Sequence, residues 1–189
     1  MRSILLCVCS LFLASCSSFD HTQKSITKLA ITKQNDLLLS KIWPLKGTGT
    51  YLQKIDVNTK DQAHSFLLHL TLEAYSLKAV AIHTIQGRIY DIHLTPQDLK
   101  WSAIPEMKEA LKPEDILIDF LLTQLSLSGL KKACPTLTVI EKNQKRIIKY
   151  NDNILRTITS FDKKNGVWQT VTIHNPEHNY TLSIQTVAQ

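Results

Sequence analysis

Between residues 63 and 74 the chain alternates, with Phe66, Leu68, Leu70, Leu72 and Ala74 on one parity and Leu67, His69, Thr71 and Glu73 on the other. Successive side chains of an extended strand point to opposite faces, so this period of two predicts a half-buried strand with one wholly apolar face. The same alternation, less complete, predicts strands over 49–57, 77–84, 88–94, 137–142, 146–150, 154–161, 167–174 and 180–187. The joints carry residues that accept or preset turn conformations: Gln86-Gly87, Asn151-Asp152-Asn153, Lys164-Asn165-Gly166 and Asn175-Pro176-Glu177-His178-Asn179. A succession of hairpins, four strands and then five, is the expected layout.

Two segments break the period. Over 25–39 the positions Ile26, Leu29, Ala30, Leu37 and Leu38 fit a helical stripe that Ile31-Thr32 weaken, and an amphipathic helix is expected there. From Lys112 the helical signal is stronger: Pro113 suits the first turn, Glu114 and Asp115 favour its positive end, and Ile116, Leu117, Phe120, Leu121 and Leu125 form one stripe. Ser128 is expected to cap a further short turn that Pro135 stops. An antiparallel sheet with one apolar face needs a cover, and the helices are the cover the pattern offers. The predicted fold is therefore α+β: a strongly curved antiparallel sheet, an incomplete barrel, with helices over its concave face. Phe66, Leu68, Leu70, Leu72, Val80, Ile82, Tyr90, Ile92, Ile116, Phe120 and Leu121 are the expected lining between the layers. They suit an apolar ligand cavity or a filled core, and periodicity does not separate the two.

The N-terminus reads differently. Arg2 precedes an apolar run over 4–13, which ends in Ala14 and Ser15; this is a secretory signal layout, and the run is too short for the roughly 20 residues that cross a bilayer. Leu13-Ala14-Ser15-Cys16 resembles the lipobox of bacterial lipoproteins. That resemblance implies cleavage between Ser15 and Cys16, attachment of lipid, palmitate included, to Cys16, and the lipoprotein-processing and localisation machinery as partners. Two or three acyl chains anchor firmly where one anchors marginally. Ser17 after the cysteine resembles the class sent to the outer membrane, which places the chain on its periplasmic side. The expected organisation is a signal peptide (1–15), a lipidated N-terminus and tether (16–24), and a single domain (25–189), monomeric and membrane-anchored through its lipid.

Loss of the signal removes one of the 22 Lys+Arg and none of the 16 Asp+Glu, leaving a net charge of about +5 that suits an anionic lipid surface or a polyanion. No basic patch with interleaved aromatics accompanies it, so nucleic acid is not expected. Of four cysteines, Cys7 and Cys9 leave with the signal and Cys16 takes the lipid. Cys134 then stands alone and reads as a buried small hydrophobe.

Other chemistry finds little support. The spacing His174-Asn175-Pro176-Glu177-His178 is interrupted by proline, so it does not place two histidines on one helical face, and His64, His69, His83 and His93 fall on strands or turns. Gly-x-Ser-x-Gly is absent, and Gly47-Thr48-Gly49-Thr50 lacks the lysine of a phosphate loop. No metal, cofactor or catalytic residue is expected. Trp43, Trp101 and Trp168 read as packing residues.

The stretches Ala79-Val80-Ala81-Ile82-His83-Thr84-Ile85-Gln86-Gly87-Arg88-Ile89-Tyr90-Asp91-Ile92, Pro113-Glu114-Asp115-Ile116-Leu117-Ile118-Asp119 and Asn179-Tyr180-Thr181-Leu182-Ser183-Ile184-Gln185-Thr186 resemble the bacterial lipoproteins of domain-of-unknown-function family 3261. The order of elements is more distantly similar to the lipoprotein carrier and receptor LolA and LolB, incomplete barrels lidded by helices around a cavity for acyl chains. The resemblance implies a LolB-like, non-enzymatic lipoprotein that binds or accepts a hydrophobic lipid or acylated cargo. Association of such families with aryl-polyene and fatty-acid-like biosynthesis implies a polyketide-like lipid. The alternative is a structural or docking lipoprotein of an envelope assembly, with a filled core and no ligand.

Overall fold

The computed structural model describes residues 20–105, 112–164 and 167–187. Among these, thirteen strands occur in the order β1 (Asp20–Ser25), β2 (Lys28–Thr32), β3 (Asn35–Leu38), β4 (Gly49–Thr59), β5 (Ala63–Glu73), β6 (Ser76–His83), β7 (Gly87–Leu94), β8 (Asp98–Ala103), β9 (Thr138–Lys142), β10 (Lys145–Tyr150), β11 (Asn153–Lys164), β12 (Val167–Asn175) and β13 (Tyr180–Val187). Helices α1 (Pro113–Gln124) and α2 (Leu127–Ala133) separate β8 from β9. Eleven strands form one sheet, ordered β1-β8-β7-β6-β5-β4-β13-β12-β11-β10-β9, and every neighbouring pair is antiparallel. The sheet does not close: β1 and β9 are its two edges.

All nine strands predicted by alternation are present, within a few residues at each end. In β5 the even positions Phe66, Leu68, Leu70 and Leu72 are buried while Leu67, His69 and Glu73 are exposed. The hairpins turn where positive φ is available: Gly87 sits at +72° between β6 and β7, and Asn143 and Gln144, at +50° and +60°, make the two-residue turn between β9 and β10. Positive φ at both central residues matches the strand twist of a tight hairpin.

The sheet's curvature follows from what reaches α1. Trp101 on β8 bonds Glu114 at one end of the helix, and Arg146 on β10 bonds the Leu122 and Thr123 carbonyls at the other. Laid flat, the eight steps from β8 to β10 would span roughly 38 Å at about 4.8 Å each. Glu114 and Thr123 lie only about 14 Å apart along a helix rising 1.5 Å per residue. The sheet must therefore wrap around α1, with the helix on its concave side. Pro113 starts α1 and Glu114 and Asp115 occupy its first turn, as expected.

Four expectations about the cover and the N-terminus are corrected. Residues 25–39 form no helix: they make the β2–β3 hairpin and a short 3-10 turn at Leu39–Lys41. Leu29 and Ile31, then Leu37 and Leu39, are buried at period two, and the β-branched Ile31-Thr32 pair favours extended backbone. The hairpin shares the cover with the helices, since Asp36 O accepts from Cys134 Sγ at 2.8 Å and Asn35 Oδ1 from Thr136 Oγ1 at 2.8 Å. The tether expected over 16–24 is strand from Asp20 onward, paired along its length with β8, while 1–19 lie outside the described residues. Neither β1 nor β8 is among the strands that alternation predicts. The cap of α2 is Ser126, whose Oγ accepts from Gly129 N at 3.1 Å, and not Ser128.

Cys134 is buried as expected, and burial pushes its thiol up to about 12. A thiol held above its ordinary value favours the fold below that value, and the contribution is lost as pH rises toward 12. Trp101 is buried, while Trp43, half-buried, stacks on Tyr75 with ring centroids 6.4 Å apart.

Candidate functional site

The concave layer brings together most of the predicted lining. Phe66, Leu68, Leu70 and Leu72 from β5, Tyr90 and Ile92 from β7 and Phe120 and Leu121 from α1 are all buried, and Ile116 packs half-buried against them. Val80 and Ile82 are the corrections. They point to the convex face, Ile82 being 46% exposed, while Ala79 and Ala81 point inward. The register explains the choice: Ala81 lies opposite Leu68 and Ala79 opposite Leu70, so small residues face large ones on the crowded inside of the curve. The pairing of β6 with β7 shifts register between Ala81 and Ile82, leaving Ile89 of β7 without an opposite residue on β6.

Little space remains between the layers. A cavity of about 20 Å³ survives, bounded by Phe66, Leu68, Ile116, Phe120, Leu182 and Ile184 among others. Ligand pockets run to roughly 300–1,000 Å³. In this conformation the helix itself fills the concave face. Two larger open grooves lie at the rim: one of about 450 Å³ beside Gln34, Tyr150, Ile154 and Pro176, and one of about 380 Å³ beside Lys142, Lys145, Arg146 and Trp168.

What holds the helix there is polar, and sequence reading did not assign it. Asp119, one turn before the end of the apolar stripe, is 1% exposed and receives Arg156 Nε of β11 at 2.6 Å. Its second oxygen accepts from the Tyr180 hydroxyl of β13 at 2.5 Å. Arg156 is fully buried; its Nη1 donates to the Leu155 carbonyl, and its Nη2 has no hydrogen-bond partner among the described residues. Burial pushes the Asp119 carboxyl upward, and the Arg156 charge and Tyr180 hydroxyl oppose that rise. Tyr180 is itself pushed up, first by burial and then by the neighbouring carboxylate.

The end of α1 is held in the same way. The last carbonyls of a helix lack intrahelical donors, and cations are favoured beside them. No basic residue lies in the last turn of α1, so the sheet supplies the donors. Arg146 Nη1 donates to Leu122 O and Thr123 O, and Trp168 Nε1 donates to Thr123 O at 3.2 Å. Arg146 Nε is held by Glu141 at 2.6 Å. One sequence clue was available: Asp119 ends the Leu-x-Asp of the helix motif, and Arg156 shares the inward parity of Ile158.

The histidines do not converge. His174 meets Thr181 Oγ1, His178 stacks on Tyr180, and no group of three potential metal ligands occurs among the described residues. Among those residues no helix is long and apolar enough to cross a membrane. Cys16 and Ser15 lie outside the described residues.

No curated protein matches the chain. Among solved structures it is similar to a domain from Vibrio parahaemolyticus assigned to outer membrane lipoprotein sorting, at 10% identity and a TM-score of 0.40, over 74% of this chain and 84% of that one. The model of the protein family of unknown function DUF3261 matches residues 50–188, from the start of the β4 alternation to the last strand and through the helix that carries Asp119, and the chain belongs to that family.

Proposed function

We propose that the chain is a lipoprotein anchored through Cys16 to the outer membrane, and that it accepts a hydrophobic lipid or acylated cargo between the concave face and α1. One observation carries this reading: an apolar concave face is covered by a helix fixed through discrete polar contacts, with the Arg156–Asp119 ion pair at their centre. A permanent core is served as well or better by hydrocarbon at such a position, because desolvating two charges offsets their attraction. A set of directional contacts suits a cover that leaves and returns to one place. An acyl chain entering the gap would gain about 25 cal/mol per Å² of apolar surface buried, with no polar key needed. The aryl-polyene-type lipids implied by the family resemblance fit that requirement, and no catalytic role is proposed.

The small cavity favours a second reading, a docking lipoprotein of an envelope assembly whose core stays filled. The chain from Cys16 onward carrying Cys16→Ser, purified without detergent and examined by native mass spectrometry with solvent extraction, separates the two. Co-purifying acyl or polyene species, with faster uptake of a fluorescent fatty acid in Asp119→Asn, are expected for a cargo acceptor. A chain that is repeatedly empty, and that ignores the probe in both forms, overturns the cargo reading in favour of docking.

A further inference from the structure

We propose that the convex face of β5–β8 lies on an anionic bilayer surface, through two lysines that flank a histidine and through an exposed apolar pair on the same face. The sheet register builds the basic row. Lys78 of β6 lies opposite His93 of β7, and His93 lies opposite Lys100 of β8. Three neighbouring strands thus present Lys, His and Lys side by side on one face. Lys78 and Lys100 are exposed and His93 half-exposed; none of the three forms an ion pair among the described residues. Of the nearby acids, Asp91 holds Arg88 at 2.5 Å and Glu73 accepts from the Ser76 hydroxyl at 2.6 Å, while Asp98 lies two residues from Lys100 on the same face of β8.

Four residues along β6 from Lys78, roughly 13 Å at about 3.3 Å per residue, Ile82 directly opposes Leu67 on the same face, the two being 46% and 40% exposed. Lysines and exposed aliphatic side chains on one face match a bilayer interface, which offers phosphate and hydrocarbon together. A soluble polyanion offers the charge without the hydrocarbon. The chain's path adds a second argument, which rests on the Cys16 anchor proposed above and not on any cargo. Gln23 of β1 lies opposite Lys100, so the first described strand borders the basic row. Only three residues lie between Cys16 and Asp20, a reach of at most about 14 Å over four steps. A lipid at Cys16 therefore holds this edge of the sheet close to the membrane.

The test uses the mature chain carrying Cys16→Ser, which retains every described residue, sedimented with phosphatidylcholine vesicles with and without phosphatidylglycerol. Binding is expected only with the anionic lipid, and high salt should remove it. Replacing Lys78 and Lys100 by Gln should weaken it by roughly 25-fold, at about 5-fold per lysine near an anionic surface. Lys131→Gln with Lys132→Gln on α2, the same change in net charge elsewhere, should leave it intact, and Ile82→Ser should weaken the binding seen at low salt. Equal loss in the two lysine pairs, no preference for phosphatidylglycerol, or equally row-dependent binding to soluble polyphosphate would each overturn the proposal. Extractable cargo is a separate readout, so the two readings can fail independently.

Discussion

The two halves of the sheet meet α1 in different ways. On β5, β6 and β7 the inward residues are aliphatic or aromatic, Leu68, Leu70, Ala79, Ala81 and Ile92 among them, and they offer the helix contact without direction. On β10 to β13 the buried positions include Arg146, Arg156, Ser160, Asn175 and Tyr180. Burial on the first half is worth much and specifies little; hydrogen bonds on the second are individually modest but fix where the helix sits. The apolar half supplies the driving force for covering the sheet, and the polar half supplies the helix's position.

The largest effect should come from separating the charges at the centre of the polar half. Arg156→Leu leaves the Asp119 carboxylate buried without its cation and is expected to destabilise by about 3–5 kcal/mol, read as a shift of the denaturant midpoint. Asp119→Leu should cost a similar amount. Replacing both by Leu should recover most of that loss, because neither charge then needs desolvation. If Arg156→Leu alone proved mild, α1 would be held by apolar contact only and the contrast between the halves would collapse.

On the apolar half, the cost should follow volume. Leu70→Ala is expected to cost about 2–5 kcal/mol through lost burial and the cavity left behind. Ala81→Ile, at a site opposite Leu68 where only a methyl fits, should cost about 1–3 kcal/mol by overpacking. A neutral Ala81→Ile would mean that the concave face has slack the structure does not display.

Most of the sheet was legible because half-burial writes itself as alternation: β5 declares its inner face through Phe66, Leu68, Leu70 and Leu72. The edge strand β1, Asp-His-Thr-Gln-Lys-Ser, has no apolar face to read, and only the unpaired side of β8 gives it a place. In β2 and β3 the few apolar residues fit both a helical and a strand period, and β-branched Ile31-Thr32 tips the balance. Of the candidate site, the apolar lining was largely visible, but its fastening was not. Charged residues are exposed by default, and Asp119 and Arg156 stand 37 positions apart, so nothing local announces that they meet. Val80 and Ile82 misled because the larger residues of an uninterrupted apolar run look like the inward ones, whereas a concave face beside Leu68 and Leu70 has room only for alanine.

The fastening at the helix end predicts a smaller effect. Trp168→Phe keeps most of the packing and removes the donor to Thr123 O, for an expected loss of about 1 kcal/mol. Amide exchange in the last turn of α1 should accelerate more than exchange near Glu114. Uniform acceleration along the helix would show that the polar half does not position its two ends separately.

The smallest effect should fall on the convex side. Ile82 sits just past the register shift, nearly half exposed, with Arg88 opposite it on β7. Ile82→Thr keeps a β-branched side chain on an exposed strand and is expected to change stability by less than about 0.5 kcal/mol. A loss approaching that of Leu70→Ala would place Ile82 inside after all and reverse the assignment of faces in β6. A neutral outcome, together with a large one at Leu70, would separate the two sides of the sheet by energy as the register separates them by geometry.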